Sequence, residues 1–522
     1  MTITDVRLFA YRQGQWRGRL NEQPHVDDSV PTTATLPPAA ARGALGRPLP
    51  TGTAALLSAA PYPRTPACPA DTALPPGDRL GHLLVAGLGL QRREPSNRFN
   101  DHRAIASVRS KFPVHAFVVA PDGSTAYLDL YRHALVDLPV AVTADGDLAE
   151  LLPAPGEATV LLAARYTDLP TPYGRLRCAL ALLELGVNLR ALHVAADLMD
   201  IRARQHWDGA DVTAAGRLIA RSGPGAWTPP LVLTLQGVGP LPPARPLPHS
   251  REPGPLQYAE DDARLRQESR HASLLDSAEI TMPLTELSRA ELSRAELSRA
   301  ASEPARGVPE LPARDGGTAR LDWAQALWNR TAGRTPEGVG GFSARPTTLG
   351  EDFLTDLLAW SALPAPGPLA EVGRMVRGTV ALQRVAGLPT GRYTAVDGRL
   401  EPDHPDPGLM QALQDSFSYP LTPVVDCGLR HASAMWVFSA DLDAILDAFG
   451  PAGWSLLQLW CGWATHGVAT AAAAHGLFAR PARSFEEYRM QYLMGLPQEL
   501  VPVFSVTCGR SRFAEPMLDL RT

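Results

Sequence analysis

The chain has one lysine, Lys111, although lysine and arginine together number 49 of its 522 residues. Arginine therefore carries nearly all the positive charge. Charge of one sign is not in excess either. A formal net charge of −5 and an isoelectric point near 6.2 give no reason to invoke nucleic acid or an anionic membrane surface. The cysteines are few: Cys68, Cys178, Cys427, Cys461 and Cys508 are odd in number, scattered, and form no CxxC pair. That spacing supports neither a disulfide framework nor a zinc knuckle, and no metal site is expected. No uninterrupted apolar run approaches the eighteen or so residues of a membrane span. The first residues, "MTITDVRLFAYRQGQWRGRL", lack the apolar core of a signal peptide. These absences predict a soluble cytoplasmic protein.

What is present is ample apolar material, 45% of the chain, enough for packed cores in three or four domain-sized units or fewer large ones. The 50 prolines and 44 glycines stay below the roughly one-quarter share of a disordered chain. Proline crowds the first eighty residues and the stretches near 223–255 and 302–313. At 286–300 the sequence stutters as "ELSRAELSRAELSRA". Leucines spaced by five advance roughly 140° on a helix and never form one apolar stripe. The repeat reads as a helical or half-helical tether between two larger pieces.

The two pieces resemble each other. "EATVLLAARY" (157–166) precedes "YGRLRCALALLELGVNLRALHVAADLMDI" (173–201). "ASAMWVFSA" (432–440) precedes "FGPAGWSLLQLWCGWATHGVATAAAAHGL" (449–477). Under a shift of 276 positions Tyr173 meets Phe449, Gly186 meets Gly462, and Ala195–Ala196 meet Ala471–Ala472. Strands are expected after each helix (229–237, 500–510), and strand–turn–Tyr segments before (115–130, 379–398). A helix apolar on every face must be buried all round. Two such helices in one chain imply an internal dimer, packed across a pseudo-twofold axis.

This order of strand, Tyr-Gly, long helix with a central glycine, strand and Gly-Arg resembles the nitroreductase superfamily. Within it the chain looks most like SagB-type dehydrogenases, which use FMN at a dimer interface to oxidise azolines in ribosomally made peptides. The resemblance covers roughly residues 78–237 and 320–512. It implies an α+β fold of two tandem nitroreductase-like domains, a central mixed sheet flanked by helices, forming an intramolecular pseudo-dimer.

The family's phosphate-binding R-x-S-x-R is similar to "RTAGR" (330–334), with Ala332 in place of serine. A phosphate monoester suits two or more guanidinium forks, and on a helix Arg330 and Arg334 would share a face. "CGR" (508–510) puts Arg510 where the family closes the phosphate pocket. The first half has no such arginine pair. It has "ASVRSKFPVH" (106–115), which resembles the family's P-S-G-G segment, with Ser107 on the serine and Val108 and Arg109 on the glycines. The second half lacks that segment. One lobe keeps the phosphate grip and the other keeps the reaching serine. The resemblance thus implies one FMN per chain, with Arg330, Arg334 and Arg510 on its phosphate and Ser107 and Arg109 across the interface.

The family's proton-accepting Lys-Tyr pair becomes Pro172-Tyr173 here. Tyr173, near Arg175 and Arg177, or Lys111 in the serine segment, is the candidate base. His115 and His102 lie nearest the site and are expected as hydrogen-bonding residues. The implied reaction turns thiazolines or oxazolines into azoles. Its partners are the azoline-containing precursor peptide and the cyclodehydratase proteins that prepare it. An NAD(P)H-dependent nitro- or quinone-reductase and a non-catalytic peptide scaffold are the alternatives. The expected organisation is an N-terminal Pro-rich segment (1–78), a first half (79–250), a charged tether (251–318) and a second half (319–522).

Overall fold

The computed structural model describes Arg7 and residues 37–43, 45–75, 77–95, 101–144, 146–169, 173, 176–207, 209–223, 227–248, 306–311, 321–333, 344–396, 398–417, 428–514 and 516–522. The repeat at 286–300, Pro172, Arg175, Arg334 and Cys427 lie outside the described residues.

The first half runs β1 (Leu45–Pro48), α1 (Thr53–Ser58), α2 (Asp78–Leu88), β2 (Leu90–Arg93), β3 (Asp101–Arg103), β4 (Val114–Val119), β5 (Thr125–Asp129), β6 (Ala134–Asp137), β7 (Glu157–Ala164), α3 (Leu176–Leu198), β8 (Arg202–His206), α4 (Gly209–Ser222), β9 (Leu231–Gln236) and β10 (Arg245–Pro246). The second runs α5 (Trp323–Asn329), β11 (Ala344–Arg345), α6 (Glu351–Ala362), α7 (Pro368–Arg374), β12 (Val376–Leu382), β13 (Gly391–Val396), β14 (Arg399–Pro405), α8 (Leu409–Asp415), β15 (Ala434–Asp441), α9 (Leu442–Phe449), α10 (Gly453–Ala474), β16 (Phe478–Ala482), α11 (Glu487–Leu493), β17 (Leu500–Ser511) and β18 (Leu518–Asp519).

The two large sheets share one strand order. The first contains β6-β5-β4-β7-β9-β8, and the second contains β14-β13-β12-β15-β17 with β16 on the far side of β17. β8 starts at Arg202 and β16 at Phe478, the same offset of 276 that aligns the helices. Chance similarity of two apolar helices would not reproduce a six-strand order. The central strands β4 and β7 are buried along almost their whole length. This explains their near-continuous apolar sequences, since both faces are covered.

The expected mixed strand sense is corrected: each ladder is antiparallel. β7 and β8 run the same way, as a helical crossover requires, but β9 lies between them. Parallel pairing among the described residues is confined to the isolated bridge Leu349–Val385.

The long helices α3 and α10 pack against each other at the centre of the molecule. Every residue of α3 except Asp197 is buried, and every residue of α10 except Trp460. By length and hydropathy α3 passes as a membrane span, yet its apolar window is wholly buried inside the fold. The crossing point is reciprocal. A Cβ on Gly186 would overlap the carbonyl oxygen of Leu459, and one on Gly462 would overlap that of Leu183. Leu183 and Leu459 are themselves 276 positions apart, so the contact is self-complementary, as an interface across a twofold axis must be.

Residues 45–75 brace both halves. β1 pairs with β6 and β10 in the first sheet. Tyr62 N donates to Leu321 O at 2.9 Å, and Trp360 Nε1 donates to the Tyr62 hydroxyl at 2.7 Å. The chain end crosses the other way. β18 pairs with β2, making a small three-stranded sheet with β3. Arg521 lies over the Trp328 ring at 4.3 Å. Cys68, Cys178, Cys461 and Cys508 are buried and unbridged.

Candidate functional site

Asp322 caps α5 by accepting from Gln325 N at 2.7 Å, and the helix stops at Asn329 because Arg330 turns to extended backbone. The sequence reading that set Arg330 and Arg334 on one helical face is therefore corrected. Arg330 follows the helix end, and Arg334 is outside the described residues. The Arg330 guanidinium is buried and crosses to the first half. Its Nε and Nη2 donate to the carbonyl of Arg103 at 3.2 and 2.9 Å. Arg92 on β2 returns the link, donating through Nη2 to Arg330 O at 2.9 Å and through Nη1 to Trp328 O. Residues 331–333 rest on β16. Ala479 N donates to Thr331 O at 2.9 Å, and Arg480 Nη1 donates to Ala332 O at 3.1 Å.

Arg510 reaches the same end of the second sheet. Ala479 and Phe478 stand opposite Cys508 and Gly509 on β17, just before it. The half-buried Arg510 side chain lies by the turn at Gly476, where a Cβ would stand 4.0 Å from its Nη1.

At this seam the buried guanidinium groups of Arg330 and Arg92 stand beside Glu94. Burial brings Arg330 down to about 9, helped by Arg92 and opposed by Glu94. Behind it, burial brings His466 on α10 down to about 3, with Arg190 and Arg330 adding to the effect. His466 Nδ1 is buried without a hydrogen-bond partner among the described residues. Arg190 on α3, equivalent to His466 under the 276 shift, is brought down to about 9 by burial. Cations held below their ordinary pKa by dehydration gain most from an anion. A phosphate monoester is such an anion, so the buried guanidinium of Arg330 suits the phosphate end of FMN.

The serine segment lies on the first-half side. After Ser107 the backbone enters the left-handed region at Arg109, Ser110 and Phe112, with φ of 49°, 52° and 48°. Of these, Arg109 is one of the two positions, with Val108, that fall on the glycines of the family that the segment resembles. The Ser107 hydroxyl donates to Glu184 Oε1 at 2.8 Å, Val108 N donates to the same oxygen at 2.6 Å, and Phe112 N donates to Ser107 Oγ at 2.8 Å. The Arg109 guanidinium stands 5.6 Å from the centre of the Tyr173 ring. Lys111 is buried in the same loop. Ser107, Arg109, Lys111 and Tyr173 thus come together, and Arg330 joins through the Arg103 carbonyl four residues upstream. Arg510 stands with the 331–333 segment.

Sequence reasoning missed Glu184. It is 3% exposed, and burial pushes its carboxyl up to about 7 against Val108, Ser107 and Arg103. The signal was there: Glu184 is the sole charge in "CALALLELGVNL" (178–189). His115 bonds Tyr127 OH through Nδ1 at 3.0 Å and Asp168 Oδ2 through Nε2 at 2.8 Å. Burial and then Arg165 hold it down at about 4, so it stays neutral. His102 Nε2 lies 3.1 Å from Glu94 Oε1. Among the described residues no cluster of His, Cys, Asp and Glu could hold a metal ion.

No family model and no curated protein matches the sequence. Solved structures do. A candidate nitroreductase from Anabaena variabilis superposes with a TM-score of 0.62 at 14% identity, covering 98% of this chain and all of that one. Partial matches include a candidate nitroreductase from Ralstonia eutropha (20% identity, TM-score 0.28, 40% of this chain and 89% of that one). Another is the E. coli microcin synthetase McbBCD complex with truncated pro-MccB17 bound (16% identity, TM-score 0.29, 43% and 84%). The full-length superposition carries the conclusion: this chain has a nitroreductase-like α+β fold, and the shared strand order shows that it holds that fold twice.

Proposed function

We propose that the chain is an FMN-dependent oxidoreductase that converts thiazolines or oxazolines to azoles in a ribosomally made precursor peptide. The observation that carries this reading is the seam itself. Arg330 of one half hydrogen-bonds Arg103 of the other, at the head of the segment bearing Ser107, and its guanidinium is a buried cation that an anion would neutralise.

Arg330, Arg334 and Arg510 would hold the phosphate, and Ser107 and Arg109 would wall the ring side. When bound, FMN would supply the two-electron acceptor that azoline oxidation needs for the hydride of the ring carbon next to Cα. The protein must then take the Cα proton. Tyr173 is the first candidate, because it stands beside the serine segment with the guanidinium of Arg109 over its ring. Lys111, in the same loop, is the second. The peptide and the cyclodehydratase proteins that install its azolines are the proposed partners. The proposed setting is the cytoplasm, where the four buried thiols stay reduced.

Absorbance of the freshly purified protein tests the cofactor. We expect flavin bands at one equivalent per chain. Arg330→Ala should weaken FMN binding by about 10–100-fold, the worth of a charge-assisted hydrogen bond. An azoline peptide should lose the mass of two hydrogens. A colourless protein leaves a peptide-docking scaffold, and two flavins per chain would refute the composite site.

A further inference from the structure

Loop 107–112 contains three non-glycine residues in the left-handed region within four positions, at Arg109, Ser110 and Phe112. Such a backbone persists only where its surroundings over-determine it. Two contacts do so. From α3, Glu184 Oε1 accepts from Ser107 Oγ and Val108 N, and Ser107 Oγ passes the hold on to Phe112 N. From β3, the Arg103 guanidinium rests on the Phe112 ring at 4.1 Å. Glu184 Oε2 is buried and makes no hydrogen bond among the described residues.

We propose that Glu184 is the positioning residue of this site: its protonated carboxyl latches loop 107–112 in the left-handed conformation, and loss of the proton loosens the latch. The inference rests on the proposed function only in treating that loop as a wall of the site.

Burial favours the neutral form and outweighs the groups around the carboxyl, since Arg103, Val108 N and the Ser107 hydroxyl all favour the charged one. Arg103 on β3 is the charged group that faces it, while Arg109 turns to the Tyr173 ring. On α3 itself Asn188 Nδ2 donates to the Glu184 backbone carbonyl at 2.7 Å. Across the crossing, α10 brings Leu459, Gly462 and Trp463 against the neighbouring turns, and none of these titrates. A carboxylate would leave Oε2 charged and unpartnered in this surrounding, whereas the acid leaves a single O–H. Burial accordingly raises the carboxyl from 4.5 to about 7. Between those values the folded loop holds a proton that the released loop does not. The latch is therefore firm at low pH and weakens as pH rises through about 7.

Hydrogen exchange across 107–112 in the full chain, at pH 6 and pH 8 and corrected for intrinsic rates, tests this. In the wild type, protection at Val108 and Phe112 should fall by about tenfold between the two values. Glu184→Gln, an uncharged isostere of the acid, should keep its protection at both. Ser107→Ala severs loop from carboxyl and should be weakly protected without pH dependence, an arm that stands should Glu184→Gln fail to fold. The same pH trend in wild type and Glu184→Gln, or pH-dependent protection in Ser107→Ala, would overturn the proposal. The readout needs no flavin. A colourless protein that shows the expected exchange would defeat the proposed function and leave this inference intact.

Discussion

Arg190 is a cation built into a place without water. Its guanidinium lies between the rings of Trp360 and Trp463, at 5.2 and 5.1 Å from their centres. It donates to Trp463 O at 3.0 Å and to Trp360 O at 2.6 Å. It is fully buried, and its Nε has no partner among the described residues. Two aromatic faces and two carbonyls offset part of the dehydration cost. Arg190→Ala should cost about 3–5 kcal/mol, since it leaves a cavity and removes a donor from the Trp360 and Trp463 carbonyls at once. Arg190→Met fills the space without a charge to dehydrate and should cost less than Arg190→Ala. Denaturant midpoints of the two variants check the order, and equal losses would show that the carbonyl bonds dominate over the volume.

The crossing of α3 and α10 depends on two hydrogens where side chains would otherwise be. In an isolated helix, alanine in place of glycine gains about 1 kcal/mol. At Gly186 or Gly462 the sign should reverse, because the added methyl meets a backbone carbonyl that no rotamer change can move. Gly186→Ala should destabilise by about 1–3 kcal/mol, the usual cost of overpacking. The double variant should cost little more than either single one, since one separation of the helices relieves both clashes. Chemical denaturation of the three proteins measures this.

These helices were also the most legible part of the sequence, because burial all round leaves an apolar record that no solvent-facing residue interrupts. Their ends were less so: the expected span 173–201 is helical over Leu176–Leu198. The arginine segment misled for a related reason. Spacing alone cannot report that α5 ends at Asn329 and that Arg330 turns to a carbonyl in the other half. Ser107, Arg109, Lys111 and Tyr173 could be grouped from motif order. The partner of Ser107 could not, since Glu184 is distant in sequence and its role appears only when the loop folds onto α3. The pairing of β18 with β2 left no trace, because two-residue strands have no periodicity to read.

At the scale of the molecule, the two halves are held by more than their covalent connection. α3 and α10 bury nearly all their surface, residues 60–62 bond to 321–323, and the chain end returns to the first half. Cleaving the chain at a protease site introduced between Pro248 and Arg306 should leave the two pieces associated. They should co-elute in gel filtration as one species of unchanged size. Separation into two species would mean that the connection, rather than the packed interface, maintains the pair.

The crossing of the chain end has a consequence for biosynthesis. β2 and β3 leave the ribosome before the second half, but their third strand, Leu518–Asp519, is made after the elements of that half. Leu520 N must then find Gln91 O, and Thr522 O must receive Ala54 N. Co-translational folding can therefore complete the first large sheet but not the first lobe. Its last edge stays open until translation of the second lobe is finished, which makes the order of synthesis and the order of assembly different.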